Sequence, residues 1–200
     1  LWSQRNFFLS SLTIVITLTT TSHSNQTQPT RVDLFTISVD KFHINEWESK
    51  KDHVLGMIPE SNDFEDHIKY SDYLDPYGNL EYRKEFLSIV EPYIKELHKT
   101  SIYKFKGVSN MWCQRYDKRD YIVPHDHGGC GYACVFYAKL TEEHDGTLFF
   151  SSFADATGIR QCTSVPVVEG DLLVFPSNLM HMAAPHNSDE ERVIISFNLL

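Results

Sequence analysis

Apolar residues along this chain change their period near residue 101. Before that point the spacing is helical. Over Leu80–Thr100, Phe86, Leu87, Val90, Ile94 and Leu97 recur near every 3.6 residues, so an amphipathic helix is expected there. Pro92 lies inside the pattern and is expected to kink or split it, because proline lacks the amide hydrogen that the preceding turn would bond. Glu46–Pro59 has helical composition, with Trp47, Val54, Leu55 and Ile58 as packing residues. Val32–Val39 alternates enough for a strand. Ser61–Asn79 is polar and aromatic, with turn signals at Asp75-Pro76 and Tyr77-Gly78-Asn79. From Ser101 onward short β-branched and aromatic runs alternate with turns. The expected architecture is therefore mainly β with flanking helices, a sandwich or barrel whose core covers about 101–200.

Two of the expected strands carry more than packing. Tyr121-Ile122-Val123-Pro124 reads as strand and leads into His125-Asp126-His127. Residues two apart in a strand share a face, so His125 and His127 project together and Asp126 projects away. Glu169-Gly170-Asp171 reads as a turn, Leu172-Leu173-Val174-Phe175 as the next strand, and His181 follows it. A sandwich or barrel can bring that third imidazole beside the first two, and imidazole suits iron, zinc, copper and nickel. The last strand, from Arg192 to Asn198, places Val193, Ile195 and Phe197 on one face and Arg192, Ile194, Ser196 and Asn198 on the other. The first set is a core face. The second carries a cation, a hydroxyl and an amide, the composition of a polar pocket. A guanidinium binds carboxylate through two parallel hydrogen bonds. A metal beside an inward arginine fits a co-substrate with a chelating end and a distant carboxylate, the shape of 2-oxoglutarate.

On these residues the chain resembles the iron(II)/2-oxoglutarate-dependent oxygenases, in particular the prolyl-4-hydroxylase-like branch and its phage-type relatives. The resemblance covers Tyr121–Leu199. It runs through His125-x-His127, Cys134-Val135-Phe136-Tyr137, Gly146-Thr147-Leu148-Phe149-Phe150, Gly170-Asp171-Leu172-Leu173-Val174-Phe175-Pro176-Ser177, His181 and Arg192–Asn198. It implies a double-stranded β-helix, or jelly roll, with helices packed outside one sheet. It makes His125 and His181 metal ligands, and Arg192 the partner of the distal carboxylate of 2-oxoglutarate. Tyr137 falls where relatives often place a tyrosine that hydrogen-bonds the co-substrate, and Ser196 is a further candidate on the Arg192 face. The implied cofactors are Fe(II) and 2-oxoglutarate. The implied partners are molecular oxygen and a small-molecule or peptide substrate, with peptidyl proline or another amino-acid side chain as the hydroxylated group. One position departs from the superfamily's pattern. The carboxylate expected two residues after the first histidine is His127, and the carboxylate stands between the two histidines. Strand alternation favours the set His125, His127 and His181; a β-bulge that turned Asp126 inward would restore two histidines and one carboxylate.

Plainer roles stay open for the same residues. Arg192 follows Asp189-Glu190-Glu191 and could be a salt-bridge residue, and Tyr137 could be a core aromatic. A cupin-type metal enzyme that does not use 2-oxoglutarate would also account for His125, His127 and His181, but it expects a glutamate soon after the paired histidines. Glu142 and Glu143 come too late, and Arg192 has no duty in it. A non-catalytic jelly-roll binding module is the third possibility. His43, His53, His67, His98, His144 and His186 lack a comparable context and read as surface or packing residues. Substrate choice is expected in the loops Asp117–Asp120 and Ser152–Thr163.

Composition narrows this further. A 42% hydrophobic and 13% aromatic chain of 200 residues has the content of one globular domain with a core of its own. A net charge of −9 is the wrong sign for general nucleic-acid binding. Cys113, Cys130, Cys134 and Cys162 form no Cys-x-x-Cys pair and read as buried free thiols. Residues 1–30 form a leader or extension ahead of a domain over 31–200. Arg5, the apolar run Phe7–Leu18 and a Thr/Ser-rich tract resemble a signal peptide, too short to span a membrane. A misassigned start with the domain beginning near Arg31 explains the segment equally well. The first implies a secretory protein and the second a cytoplasmic one.

Overall fold

The computed structural model describes residues 36–62, 67–75, 77–78, 80–129 and 131–200. Two antiparallel sheets face one another. The larger has six strands, built from β1 (Asp40–His43), β2 (Tyr70–Ser71), β3 (Val108–Tyr116), β5 (Tyr132–Lys139), β8 (Asp171–Pro176) and β10 (Arg192–Leu199) in the order β1-β8-β5-β10-β3-β2. The smaller has four, β4 (Ile122–His125), β6 (Thr147–Ala154), β7 (Arg160–Ser164) and β9 (His181–Ala183), in the order β4-β9-β6-β7. Among the described residues two helices, α1 (Trp47–Gly56) and α2 (Leu80–Thr100), accompany the sheets.

The larger sheet is covered on both faces, and its strands show why. Alternate residues Cys134, Phe136 and Ala138, with Leu172, Val174, Val193, Ile195 and Phe197, pack with Trp47, Phe86 and Val90 of the helices. The intervening residues Ala133, Val135, Tyr137, Leu173, Phe175 and Ile194 face the smaller sheet. A strand buried on both faces is apolar throughout, which is why Tyr132–Lys139 shows no polar alternation. Trp47 anchors the helical layer. Its indole nitrogen donates to the Ala138 carbonyl at 2.9 Å, and its ring meets Phe136 edge-on at 4.7 Å.

Several expectations need correction. The first described strand is Asp40–His43; within the expected strand Val32–Val39, residues 36–39 are irregular and the remainder lies outside the described residues. Helix α2 continues through Pro92. Phe86, Val90 and Leu97 of that helix are buried and Ile94 packs on them, but Leu87 is 37% exposed and is not part of the core. Packing of the buried stripe outweighs the one main-chain bond that proline removes. Cys113 and Cys134 are buried thiols, whereas Cys162 is exposed on the outer strand β7. Cys130, the leader 1–30 and the turn residues Pro76 and Asn79 lie outside the described residues. Among the described residues no helix is long and apolar enough to cross a membrane.

Candidate metal and co-substrate site

Strand β4 pairs with β9 so that His125 stands directly opposite His181. His127 follows two residues later, outside the strand. Its amide donates to the Ser177 carbonyl at 2.8 Å, while Ser177 Oγ donates to the Gly128 carbonyl and Ser177 N to the Gly131 carbonyl. The turn after β8 thus clasps the segment after β4 and carries His127 inward. The outcome is a cluster in which one ligand atom from each of His125, His127 and His181 lies within 4.8 Å of the others. Ring centroids are 4.4 Å apart for His125–His181 and 5.0 Å for His127–His181. Asp126, between the two histidines, is exposed, and its Oδ1 accepts the Gly128 amide.

Each imidazole has its Nδ1 engaged: His125 with the Val123 carbonyl at 2.9 Å, His181 with the Leu179 carbonyl at 2.8 Å, and His127 with Asn198 Oδ1 at 2.5 Å. Oxygen acceptors at Nδ1 are matched by hydrogen on Nδ1, which leaves the Nε2 lone pair free, the arrangement that metal-binding histidines require. Burial pushes His181 down to about 3, with His125 and His127 beside it adding to the shift. Burial also lowers His127. Neutral imidazoles at ordinary pH are the form that binds a cation. Three neutral nitrogen donors that converge beside an open cavity fit a divalent iron ion with positions left for other ligands.

That cavity has a volume of about 530 Å³ and lies between the sheets. Of the face expected on β10, Ile194, Ser196 and Asn198 are in its lining and Arg192 is not. Ser196 is buried. Strand β3 supplies a second polar face that sequence reasoning missed: Asn110, Trp112, Gln114 and Tyr116 stand opposite Asn198, Ser196, Ile194 and Arg192 respectively, and all four line the cavity. His67, read as surface or packing, also lines it and stacks on Tyr121 at 4.8 Å. His144 and His186 are buried together, edge to face at 4.3 Å, away from the three clustered histidines.

Arg192 is 2% exposed, so it is turned inward. Its Nη1 and Nη2 donate to the carbonyls of Asp145 and Ala184, its Nε has no partner, and its guanidinium lies 4.6 Å from the centroid of the Tyr116 ring. The acids before it do not pair with it: Asp189 binds Lys118, Glu190 binds Lys139, and Glu191 binds Arg115, Lys69 and Lys139. Burial pulls its pKa below the usual arginine range, although it stays a cation. A buried cation with no carboxylate partner among the described residues is costly unless an anion joins it. Tyr137 is fully buried; its hydroxyl accepts the Thr147 amide and shares a hydrogen bond with Thr147 Oγ1, both at 2.9 Å. Thr147, not Tyr137, lines the cavity.

Residues 110–198 match the family described as putative 2OG-Fe(II) oxygenase. The fold has solved neighbours of low identity. A prolyl-4-hydroxylase from Pseudomonas putida is 17% identical, with a TM-score of 0.54 over 82% of this chain and 92% of its own. A Trichoplax adhaerens prolyl hydroxylase, solved with a hypoxia inducible factor peptide fragment, is 13% identical, with a TM-score of 0.53 over 81% and 83%. HygX from Streptomyces hygroscopicus, solved with nickel, 2-oxoglutarate and hygromycin B, is 14% identical, with a TM-score of 0.54 over 80% and 82%. No curated protein sequence matches the chain. The match to that family covers less than half of the chain, and the solved prolyl hydroxylases share its fold.

Proposed function

We propose that this chain is an Fe(II)- and 2-oxoglutarate-dependent dioxygenase that hydroxylates an amino-acid side chain of a peptide, or a small molecule of similar size. The observation that carries the reading is a three-histidine cluster on a cavity whose wall residue Tyr116 is backed by a buried guanidinium, Arg192, with no acidic partner among the described residues. In a cupin without 2-oxoglutarate that guanidinium has no duty.

His125, His127 and His181 would hold the iron through Nε2. With iron and 2-oxoglutarate held there, the site would supply oxidation by dioxygen, one oxygen atom going into succinate as the keto acid loses carbon dioxide and the other into a substrate C–H bond. The chain's own part is to bind, orient and exclude water. Arg192 receives the distal carboxylate, its remaining N–H groups being free for it. Tyr137 acts through Thr147, whose position on the cavity wall it fixes, and Ser196 offers a hydroxyl on the same wall. Trp112 and Tyr73 meet edge to face at 5.1 Å on one side of the cavity and form an aromatic wall against which a substrate side chain can pack. Among the described lining residues Asp126 is the only carboxylate, and there is no lysine or arginine.

Anaerobic titration with Fe(II) and 2-oxoglutarate is the direct test. A weak visible charge-transfer band is expected with the natural chain and lost in Arg192→Ala. Absence of the band in the natural chain, or its persistence in Arg192→Ala, overturns the reading. His127→Leu should abolish Fe(II) binding while Asp126→Asn retains it; the reverse would make Asp126 the ligand. Mass spectrometry for a gain of one oxygen, dependent on both cofactors, then identifies the substrate among peptides and small molecules.

A further inference from the structure

We infer that Asn198 is a positioning residue that makes His127 a metal ligand by fixing which ring nitrogen carries the proton. The inference rests on the proposed function and concerns the position at which this chain departs from the His-x-carboxylate pattern.

The three histidines are not oriented alike. His125 and His181 each bond the carbonyl of the residue two places earlier, Val123 and Leu179. Those acceptors are main chain and survive any substitution at the site. His127 alone has its Nδ1 against a side chain, Asn198 Oδ1. An amide side chain has a donor end and an acceptor end, so its orientation decides the tautomer of the ring. Here the orientation is imposed from the other side. Asn198 Nδ2 donates to Asn110 Oδ1 at 2.8 Å, and the same oxygen accepts Ser109 Oγ at 2.9 Å. Asn110 stands directly opposite Asn198 in the β10–β3 register, which irregularity interrupts just after Asn198. With its nitrogen committed to Asn110, Asn198 presents only oxygen to the ring. His127 must then carry hydrogen on Nδ1, and its Nε2 lone pair turns toward His125 and His181. Trp112, 5.6 Å from the His127 ring between centroids, holds the ring's other side.

The chemistry of the partner also matters. An asparagine orients the imidazole without adding charge, so neither the ligand set nor the group behind His127 supplies the anion that the usual carboxylate would. Aspartate at position 198 would keep the acceptor and add the charge; leucine would keep the bulk and remove the acceptor.

The experiment uses the full chain and two variants, Asn198→Leu and Asn198→Asp, with two readouts. Two-bond proton–nitrogen NMR of metal-free protein reports the His127 tautomer. Chelator competition reports affinity for Co(II). We expect Nδ1-protonated His127 in the natural chain and in Asn198→Asp. Asn198→Leu should move the proton toward Nε2 and weaken Co(II) binding roughly 10–100-fold, the usual effect of losing a ligand-orienting group, with Asn198→Asp restoring it. Nε2-protonated His127 in the natural chain overturns the inference, whatever the variants' folding. So does natural affinity in Asn198→Leu. A natural chain that binds no Co(II) at all instead overturns the proposed function, and the NMR result then decides the tautomer separately.

Discussion

Arg192 shows how far one residue's surroundings can be turned into chemistry. Its guanidinium is buried, stacked on Tyr116 and held by two carbonyls, with no opposing carboxylate among the described residues. Arg192→Lys keeps a positive charge but loses the planar fork and the stacking. Hydrogen bonds to charged groups contribute about 1.5–3 kcal/mol each, so the KM for 2-oxoglutarate should rise on the order of 10–100-fold. Steady-state kinetics in which the substrate's own KM also rose as much would argue against a role confined to the co-substrate. The residue was legible in the sequence because Val193, Ile195 and Phe197 mark the opposite face as core. The facing wall was not. Asn110, Trp112, Gln114 and Tyr116 alternate just as regularly, but the other face of β3 carries Arg115, which reads as a solvent residue. In the fold Arg115 is 5% exposed, bound to Glu191 and to the carbonyls of Leu55 and Ile58. Burial of that cation depends on α1 and on the chain after it, partners that no local pattern reveals.

At the scale of elements, the site depends on the segment between β4 and β5. Gly128, Gly129 and Gly131 all have positive φ, and at Gly131, φ 125°, a Cβ would collide with the Leu199 carbonyl oxygen. Gly131→Ala must therefore displace either the end of β10 or the turn clasped by Ser177. A destabilisation of about 1–3 kcal/mol is expected from the backbone conformation alone, together with weaker Co(II) binding because His127 is carried by that turn. Urea unfolding and metal competition on the same variant check both; a stable variant with impaired metal binding would separate the turn's positioning role from its structural one. Elements were legible where period and burial agree. The long stripe of α2 is read directly, since one period repeats over many residues, and β8 is read from its apolar run after the turn Glu169-Gly170-Asp171. Of the strand expected over Val32–Val39, the described residues 36–39 are irregular. The short strand β1 is recognised only through its pairing with β8, where Asp40 stands opposite Val174 and His43 opposite Asp171.

For the molecule as a whole, the buried histidines tie folding to pH. His181 is pushed down to about 3 by burial, and His127, His144 and His186 are lowered by burial as well, with Arg192 acting on the last two. Above the unfolded histidine range, near pH 6.5, these groups are neutral in both states and contribute no pH dependence. As pH falls below it, the unfolded chain takes up protons that the native chain refuses, so stability is lost toward acid. One fully refused proton corresponds to about 1.4 kcal/mol per pH unit, so His181 alone should remove about 2 kcal/mol between pH 6.5 and 5. Glu191, Asp155 and Asp189, all lowered by partners, begin to lose their contribution only nearer the carboxylate range, and Asp40, raised by burial, acts in the opposite sense. Urea melts of the metal-free chain at pH 7 and pH 5 should therefore differ by at least the His181 contribution, and His181→Gln should reduce the difference. Added Co(II) should stabilise the chain at pH 7 more than at pH 5, because protons and metal compete for the same nitrogens. Equal stability at the two pH values would mean that the imidazoles take up protons while folded, which a buried cluster prepared for a cation does not allow.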